Sequence, residues 1–183
     1  MTGPLERAAA LAARPVSLAV QILRLRRDPV RYFRGLGAEI GPDVEIYGAT
    51  LFTFGSEPYL VSIGRGVTIS HDVDFITHDG GLRVARAEHP GAFLYGRIQI
   101  GDGCFLGAHS VFLPGASVGT GSVIGAGAVV SGKIPPGVVA TGTPARPVKP
   151  VADYVQGKRH LWLDTSELSA AEKRALLSRR VPR

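Results

Sequence analysis

The chain of 183 residues contains only one cysteine, Cys104. A single thiol cannot build an internal disulfide framework or a cysteine-rich zinc site, so we expect a reducing, cytoplasmic setting. Its position within a regular apolar pattern indicates packing rather than nucleophilic catalysis. Disulfide-stabilised secreted scaffolds and zinc-finger-like modules are therefore not expected.

The sequence also lacks the roughly 20 uninterrupted apolar residues that a membrane span requires. The nearest approach, residues 8–23, is broken by an arginine–proline pair and lacks the basic segment and clean apolar run of a secretory signal. We interpret it as one or two short amphipathic helices that pack on the protein body or on a neighbouring subunit. A weak peripheral contact with membranes, through the arginines that follow, is a secondary interpretation.

Positive charge predominates, with a formal net charge of +6, but aromatic residues make up only 7% of the chain. The basic residues concentrate near the two ends and are not interleaved with aromatic ones, so a nucleic-acid partner is not expected. Glycine (24) and proline (13) are frequent, yet 45% of the residues are apolar. This composition is typical of a folded protein rich in turns.

The central part of the chain is periodic. An apolar residue recurs at every sixth position: Ile100, Leu106, Phe112, Val118, Ile124 and Val130. The next position is often glycine, the fifth is small or β-branched, and the same pattern occurs in residues 40–45 and 63–68. Such repeats predict a solenoid of short stacked strands, with the apolar residues pointing inward and glycine taking the turn geometry.

The repeats divide the chain into three parts. Residues 1–35 are predicted to form an N-terminal helical arm, residues 36–150 the solenoid, and residues 151–183 a C-terminal linker and helix. The last helix is predicted to begin near Ala170, since the preceding Ser169 and the later Glu172 have the spacing of a capping box. Trp162 and Leu163 are predicted to anchor the linker.

Two breaks in the six-residue register interrupt the solenoid. From Phe52 to Ile63 the step is 11 residues instead of 12, and from Phe75 to Ile100 it is 25. We expect residues 76–97 to loop out of the coil, and long loops on rigid scaffolds are frequent carriers of function. His78 lies at the root of this loop.

These repeats resemble those of the hexapeptide-repeat acyltransferases over roughly residues 36–150. The resemblance implies a left-handed parallel β-helix and a homotrimer with active sites between neighbouring subunits. A histidine at a loop root and the closing Gly-Thr-Pro-Ala-Arg segment look like the sugar and xenobiotic O-acetyltransferases, which include maltose, nodulation-factor and capsule-type enzymes. That likeness implies acetyl-CoA as acyl donor, a sugar hydroxyl as acceptor and His78 as general base.

The residue types suit this chemistry. A hydroxyl attacks a thioester only with a base whose pKa is near the working pH, and histidine, at about 6.5, is the natural side chain. Asp79, Asp74 or a backbone carbonyl is the candidate that holds the His78 tautomer. Asp74 is expected to point outward, since Phe75 is inward. His71, Asp74 and His89 are candidates for acceptor binding, although His71 also fits an exposed turn.

The donor side is assigned by the resemblance, which places the pantetheine arm between adjacent β-helices. The cofactor-binding candidates are small residues and two cations: Gly107, Ala108, Gly125, Ala126, Arg146 and Lys149. The small residues would let a ligand approach the backbone, and the cations would contact the nucleotide phosphates. For Lys149 a solvated tail charge is an equal interpretation.

Other functions stay open at this point. An N-acetyltransferase of an amino sugar, or of a nucleotide-linked amino sugar, would use the same base and fold. A metal-dependent β-helix enzyme or a non-catalytic assembly module is a further alternative. No metal is expected, because no pair among the five histidines has the i, i+4 spacing of a helical metal site.

Overall fold

A computed structural model describes residues 17–181. Most of the amphipathic stretch predicted over residues 8–23 lies outside the described residues. The chain divides into two compact units, one that ends at Val151 and one that begins at Ala152.

The first unit is a solenoid whose successive strands rotate through three parallel sheets, here called faces 1, 2 and 3. Face 1 is formed by β1 (Glu39–Ile40), β3 (Val61–Ile63), β8 (Ile98–Ile100), β11 (Ser117–Val118) and β14 (Lys133–Ile134). Face 2 is formed by β2 (Glu45–Ile46), β4 (Thr68–Ile69), β9 (Phe105–Leu106), β12 (Val123–Ile124) and β15 (Val138–Thr141), with β16 (Arg146–Pro150) added antiparallel to β15. Face 3 is formed by β5 (Asp74–Phe75), β10 (Val111–Phe112) and β13 (Val129–Val130). The predicted parallel β solenoid is confirmed.

The six-residue pattern corresponds to one strand and one turn of this coil. The repeated apolar residues from Ile100 to Val130 point inward and are at most 4% exposed. The small residues of the fifth position are also buried, and Cys104 is 2% exposed. Each strand bonds through its backbone to the strands of the coils beside it, as in the pairing of Ile69 with Leu106. The stack is therefore both the core and the hydrogen-bonding unit.

The role predicted for the second-position glycines is wrong. Gly107 and Gly125 do not have positive φ angles; these occur two residues later, at positions such as Gly103 and Gly127. A Cβ atom on Gly107 would lie 2.5 Å from the backbone nitrogen of Ala126 in the next coil. Glycine is needed there because adjacent coils approach closely, not because the turn is left-handed.

The first register break has a different form from the one predicted. Phe54, not Phe52, occupies the inward position of face 3, since Phe54 is fully buried and Phe52 is 79% exposed. The backbone nitrogen of Phe75 donates to the carbonyl of Thr53 at 2.9 Å, so this irregular segment acts as a strand of the first coil. A stack of rings with centroids 4.3 to 5.1 Å apart then fills the core: Phe33, Phe54, Phe75 and Phe112.

Two helices precede the solenoid, as predicted for the N-terminal arm. They are α1 (Leu18–Arg27), capped by Ser17, and α2 (Pro29–Gly35), capped by Asp28. Arg34 donates from Nε to the carbonyl of Ile40 and from Nη2 to that of Gly41, at 2.9 and 2.7 Å. These bonds and the buried Phe33 attach α2 to the first coil.

The second unit contains α3 (Val151–Lys158), which begins at the last residue of the first unit, and α4 (Ala170–Arg180). The start of α4 at Ala170 confirms the predicted helix, and both halves of the Ser169–Glu172 capping box are present. Helix α3 was not predicted. Trp162, expected as an anchor, is 61% exposed. Within residues 17–181 we find no helix with the length and apolar character needed to cross a bilayer.

Candidate active site

The long second register break leaves the coil after β5 and returns to it at β8. The two ends of this loop are joined by a short antiparallel ladder between β6 (His78–Asp79) and β7 (Leu94–Tyr95), in which His78 pairs with Tyr95. At the end of the ladder nearest the coil, the backbone N–H of Gly96 donates to the carbonyl of Thr77 at 2.9 Å. The imidazole of His78 is therefore held at the point where the loop leaves the rigid coil.

The side chain that contacts His78 comes from the first register break. Glu57 Oε2 lies 3.0 Å from Nδ1 of His78 and accepts a hydrogen bond of 2.6 Å from the hydroxyl of Thr77. Thr77 is fully buried, the Glu57 side chain is 14% exposed and that of His78 is 41% exposed. The pair thus has a nearly buried carboxylate beneath a half-exposed imidazole.

The shortened loop explains why Glu57 is placed there. Gly55 has a φ of +61° and a Cβ atom on it would lie 2.9 Å from the carbonyl oxygen of Phe75. Glycine therefore lets the segment turn tightly against face 3. The buried Pro58 then begins a single 3₁₀ turn, Pro58–Leu60, that leads into β3. Glu57 is fixed between these two features.

The environment of Glu57 keeps it ionised. Burial opposes ionisation, but the hydrogen bonds from Thr77, His78 and Ser56 outweigh it and bring the pKa of Glu57 below its ordinary value. A carboxylate on Nδ1 favours the tautomer with the proton on that nitrogen, which leaves Nε2 as the basic atom. Among the described residues, Nε2 of His78 has no hydrogen-bond partner.

The two aspartates considered as partners of His78 are placed differently. Asp79 accepts a hydrogen bond of 2.7 Å from the backbone N–H of Gly81 and caps the 3₁₀ helix Gly80–Ala85. Asp74 is exposed on β5, opposite in direction to the buried Phe75, as strand alternation predicts. The structure therefore gives the contact with Nδ1 to Glu57, which the sequence interpretation did not consider.

Aromatic side chains lie beside His78 on the loop. The ring of Tyr95 is 6.1 Å from that of His78, and the ring of Phe93 is a further 6.1 Å from Tyr95, nearly parallel to it. Both are more than half exposed, and the guanidinium of Arg86 lies 4.3 Å from the Phe93 ring. Exposed aromatic faces next to a basic imidazole are suited to an amphipathic ligand.

The remaining acceptor candidates are not gathered around His78. The side chain of His89 is exposed in the loop, where the backbone N–H of this residue donates to the carbonyl of Ala85. His71 is exposed at a turn before β5 and contacts Asp72. Among the predicted site residues, only His78 lies at the loop root with both an ionised carboxylate, Glu57, and an aromatic ring, Tyr95, beside it.

The donor candidates lie along face 2 and at its end. Gly107 is buried by the next coil, Gly125 and Ala108 are partly exposed, and Ala126 is exposed at a turn. Arg146 and Lys149 are exposed on β16. No contact among them tests the predicted binding of a pantetheine arm or phosphates, so that assignment stays a prediction.

Two further features bear on alternative sites. Burial raises the pKa of Cys104, whose Sγ donates to the carbonyl of Gly119, so the thiol stays protonated.

A cavity of about 520 Å³ lies at the N-terminal helices, away from His78, and is bordered by Arg24, Arg27 and Arg31. The His78 region, in contrast, joins an imidazole, a hydrogen-bonded carboxylate and exposed aromatic rings.

Comparison with known proteins agrees with the repeat pattern. The family described as bacterial transferase hexapeptide (six repeats) matches residues 90–132. Protein CapG of Staphylococcus aureus is 42% identical over 121 residues, which cover 66% of this chain and 70% of that protein. The chain belongs to the hexapeptide-repeat acyltransferase family.

Other members of the family extend the likeness. Galactoside O-acetyltransferase of Escherichia coli (strain K12) is 37% identical over 97 residues, 53% of this chain, and the match spans 47% of that enzyme. The crystal structure of a maltose O-acetyltransferase from Clostridium difficile 630 superposes with a TM-score of 0.52 at 24% identity, covering 66% of this chain and 73% of that one. The latter supports the shared fold alone.

Proposed function

We propose that this acyltransferase moves an acetyl group from acetyl-CoA to a hydroxyl of a sugar or glycosylated small molecule, with His78 as general base. The observation that carries the proposal is the contact between Nδ1 of His78 and the ionised Glu57 at the root of the loop. The name of the galactoside O-acetyltransferase relative supports acetyl transfer to a sugar oxygen.

Direct transfer moves one proton from the acceptor hydroxyl to His78 and then from His78 to coenzyme A. Nε2 of His78 removes the proton from the acceptor hydroxyl as its oxygen attacks the thioester carbonyl and a new carbon–oxygen bond forms. The tetrahedral intermediate then collapses, the carbon–sulfur bond breaks, and the imidazolium returns the proton to the thiolate of coenzyme A. Glu57 stabilises the imidazolium between the two steps and holds the ring orientation.

The surroundings of the base support a carbohydrate acceptor. A sugar ring presents apolar C–H faces and a rim of hydroxyl groups, so it packs on exposed aromatic rings while directing a hydroxyl sideways. Tyr95 and Phe93 offer such faces beside the imidazole. Asp74, His71 and His89 remain proposals for polar contacts with the acceptor, and Asp79 for shaping the loop through its cap on Gly81.

The proposal includes the assembly and the donor site that the family resemblance implies. The solenoid is taken to be left-handed and the protein to be a homotrimer, with the loop of one chain facing a neighbouring β-helix. The donor would lie along Gly107, Ala108, Gly125 and Ala126, with Arg146 and Lys149 near the nucleotide phosphates. Cleft formation between chains accounts for the open surroundings of His78 in a single chain.

The test is a screen of mono- and disaccharides with acetyl-CoA, in which release of free thiol is followed with a thiol reagent. The proposal predicts thiol release that depends on a sugar and yields an ester labile to hydroxylamine. A hydroxylamine-stable product on an amino sugar would instead establish N-acetylation. If neither acceptor class raises thiol release above hydrolysis, the carbohydrate acceptor is wrong.

A further inference from the structure

Three polar side chains that take no part in the proposed proton transfer meet at one corner of the solenoid, between faces 2 and 3. They are His71, Asp72 and His109. Because Ile69 of β4 pairs with Leu106 of β9, Asp72 and His109 occupy the same turn position in consecutive coils. The N–H of His109 donates to the carbonyl of His71 at 3.2 Å, which fixes the two turns against each other.

The backbone at this corner favours residues other than those present. Asp72 and His109 have φ angles of +54° and +59°, whereas the equivalent residue of the following coil is Gly127, at +69°. Aspartate and histidine tolerate this region better than most residues but less well than glycine. Two consecutive coils therefore have ligand-type side chains at a position where glycine costs less conformational strain.

The polar atoms of the corner have the spacing of metal ligands. Asp72 Oδ2 lies 3.0 Å from Nδ1 of His71 and 3.8 Å from Nδ1 of His109, and one ligand atom from each residue lies within 4.8 Å of the others. With bonds of about 2.0–2.2 Å, tetrahedral ligands of a zinc ion are about 3.4 Å apart. The two measured separations bracket that value.

We propose that His71, Asp72 and His109 bind a divalent transition-metal ion such as Zn²⁺. Two imidazoles and one carboxylate favour this class over Mg²⁺ or Ca²⁺, which take oxygen ligands. All three side chains are exposed, with relative accessibilities of 56%, 54% and 65%, so the ion keeps coordination positions open to a further ligand. The expectation of no metal, based on helical spacing, is revised because coil stacking joins residues 38 positions apart.

The site does not depend on the proposed acetyl transfer. His71 and Asp72 precede β5, whereas His78 follows it, and Glu57 rather than Asp72 contacts His78. The hydrogen bond from His71 brings the pKa of Asp72 below its ordinary value, so the carboxylate is ionised at neutral pH.

The experiment is a titration of untagged, chelator-treated full-length protein with Zn²⁺ by calorimetry, repeated with Co²⁺ by visible absorbance. Asn tolerates positive φ, so His109→Asn and Asp72→Asn remove ligand atoms with little change to the backbone. The matched control is His89→Asn, which alters an exposed histidine of the loop. Circular dichroism verifies that each variant is folded.

The proposal predicts one ion per chain in the wild type and the control, and a Co²⁺ spectrum of low-symmetry nitrogen and oxygen ligation. Each corner variant should lower the affinity at least tenfold, the scale on which even indirect ligand support affects metal binding. Absence of Zn²⁺ binding, or equal affinity in the corner variants and the control, would overturn it.

Discussion

Replacing Glu57 with glutamine tests the contact that the proposed mechanism depends on most. Glutamine keeps the length of the side chain and an oxygen acceptor for the Thr77 hydroxyl, but it removes the negative charge beside Nδ1 of His78. The imidazolium formed during transfer then loses its counter-ion, and the ring loses its preference for the tautomer that leaves Nε2 basic.

The magnitude follows from the geometry. Opposite unit charges 3.0 Å apart attract by about 5.5 kcal/mol at an effective dielectric constant of 20, which is an upper limit for this pair. The half-exposed imidazole is partly screened by water, so the retained effect is smaller. Loss of the partner that orients a metal-bound imidazole costs about 10–100-fold, and on that scale we expect a similar fall in kcat here, with little change in KM for acetyl-CoA.

The assay is thiol release at saturating acetyl-CoA and acceptor, with folding checked by thermal unfolding. Glu45→Gln is the matched control, because it neutralises a surface carboxylate that also accepts a side-chain hydrogen bond, from Tyr47. A folded Glu57→Gln protein with kcat within twofold of the wild type would refute the role given to the His78–Glu57 contact.

Three further outcomes follow from the structure. Tyr95→Ala should raise KM for a sugar acceptor by about 2–10-fold, the range of one aromatic contact, and an unchanged KM in steady-state assays would remove Tyr95 from the acceptor site. Gly107→Ala should lower the free energy of unfolding in urea by about 1–3 kcal/mol through overpacking, whereas Gly132→Ala, which meets nothing within 4 Å, should not. Because folding lowers the pKa of Glu57 from its ordinary 4.5, ionised Glu57 stabilises the fold above that pH and the stabilisation is lost as pH falls through the lower folded value. The stability of Glu57→Gln should therefore vary less between pH 5 and 3 than that of the wild type, and parallel curves would contradict the shift.

The solenoid was predictable because its signal is local and repeated. Each coil needs an inward apolar residue and a small one at fixed spacing, and the sequence repeats them from Ile100 to Val130. The start of α4 was predictable for a similar reason, since Ser169 and Glu172 are three positions apart. Helix α3 has no such cap, and its sequence between Val151 and Lys158 did not indicate a helix.

The partner of His78 was not predictable from local pattern. Glu57 lies 21 residues earlier, in a segment where the inward position shifts from Phe52 to Phe54, and that shift depends on tertiary packing against Phe33 and Phe75. One usable signal was present, because the shortened step in the register and the interrupted step both begin at face 3 and return at face 1. Two breaks on one face of a solenoid indicate that their loops meet.

The corner of His71, Asp72 and His109 shows a similar limit. Helical spacing is the wrong template for a coil in which residues 37 positions apart occupy equivalent turns, as Asp72 and His109 do. Once the strand register is known, such pairs can be read from the sequence. The six-residue register on the two sides of residues 76–97 already aligns these turns, and the helical template did not use it.

The central claim is that His78 is the base of acetyl transfer, and its most direct test is the turnover of His78→Ala. With acetyl-CoA and a sugar acceptor identified in the screen, the variant should lose about 10²–10⁴-fold in kcat, the usual contribution of a general base. It should stay folded and bind coenzyme A with unchanged affinity in calorimetry, and His160→Ala, in the second unit, should retain full turnover. A folded His78→Ala protein that transfers acetyl groups at nearly the wild-type rate would contradict the account.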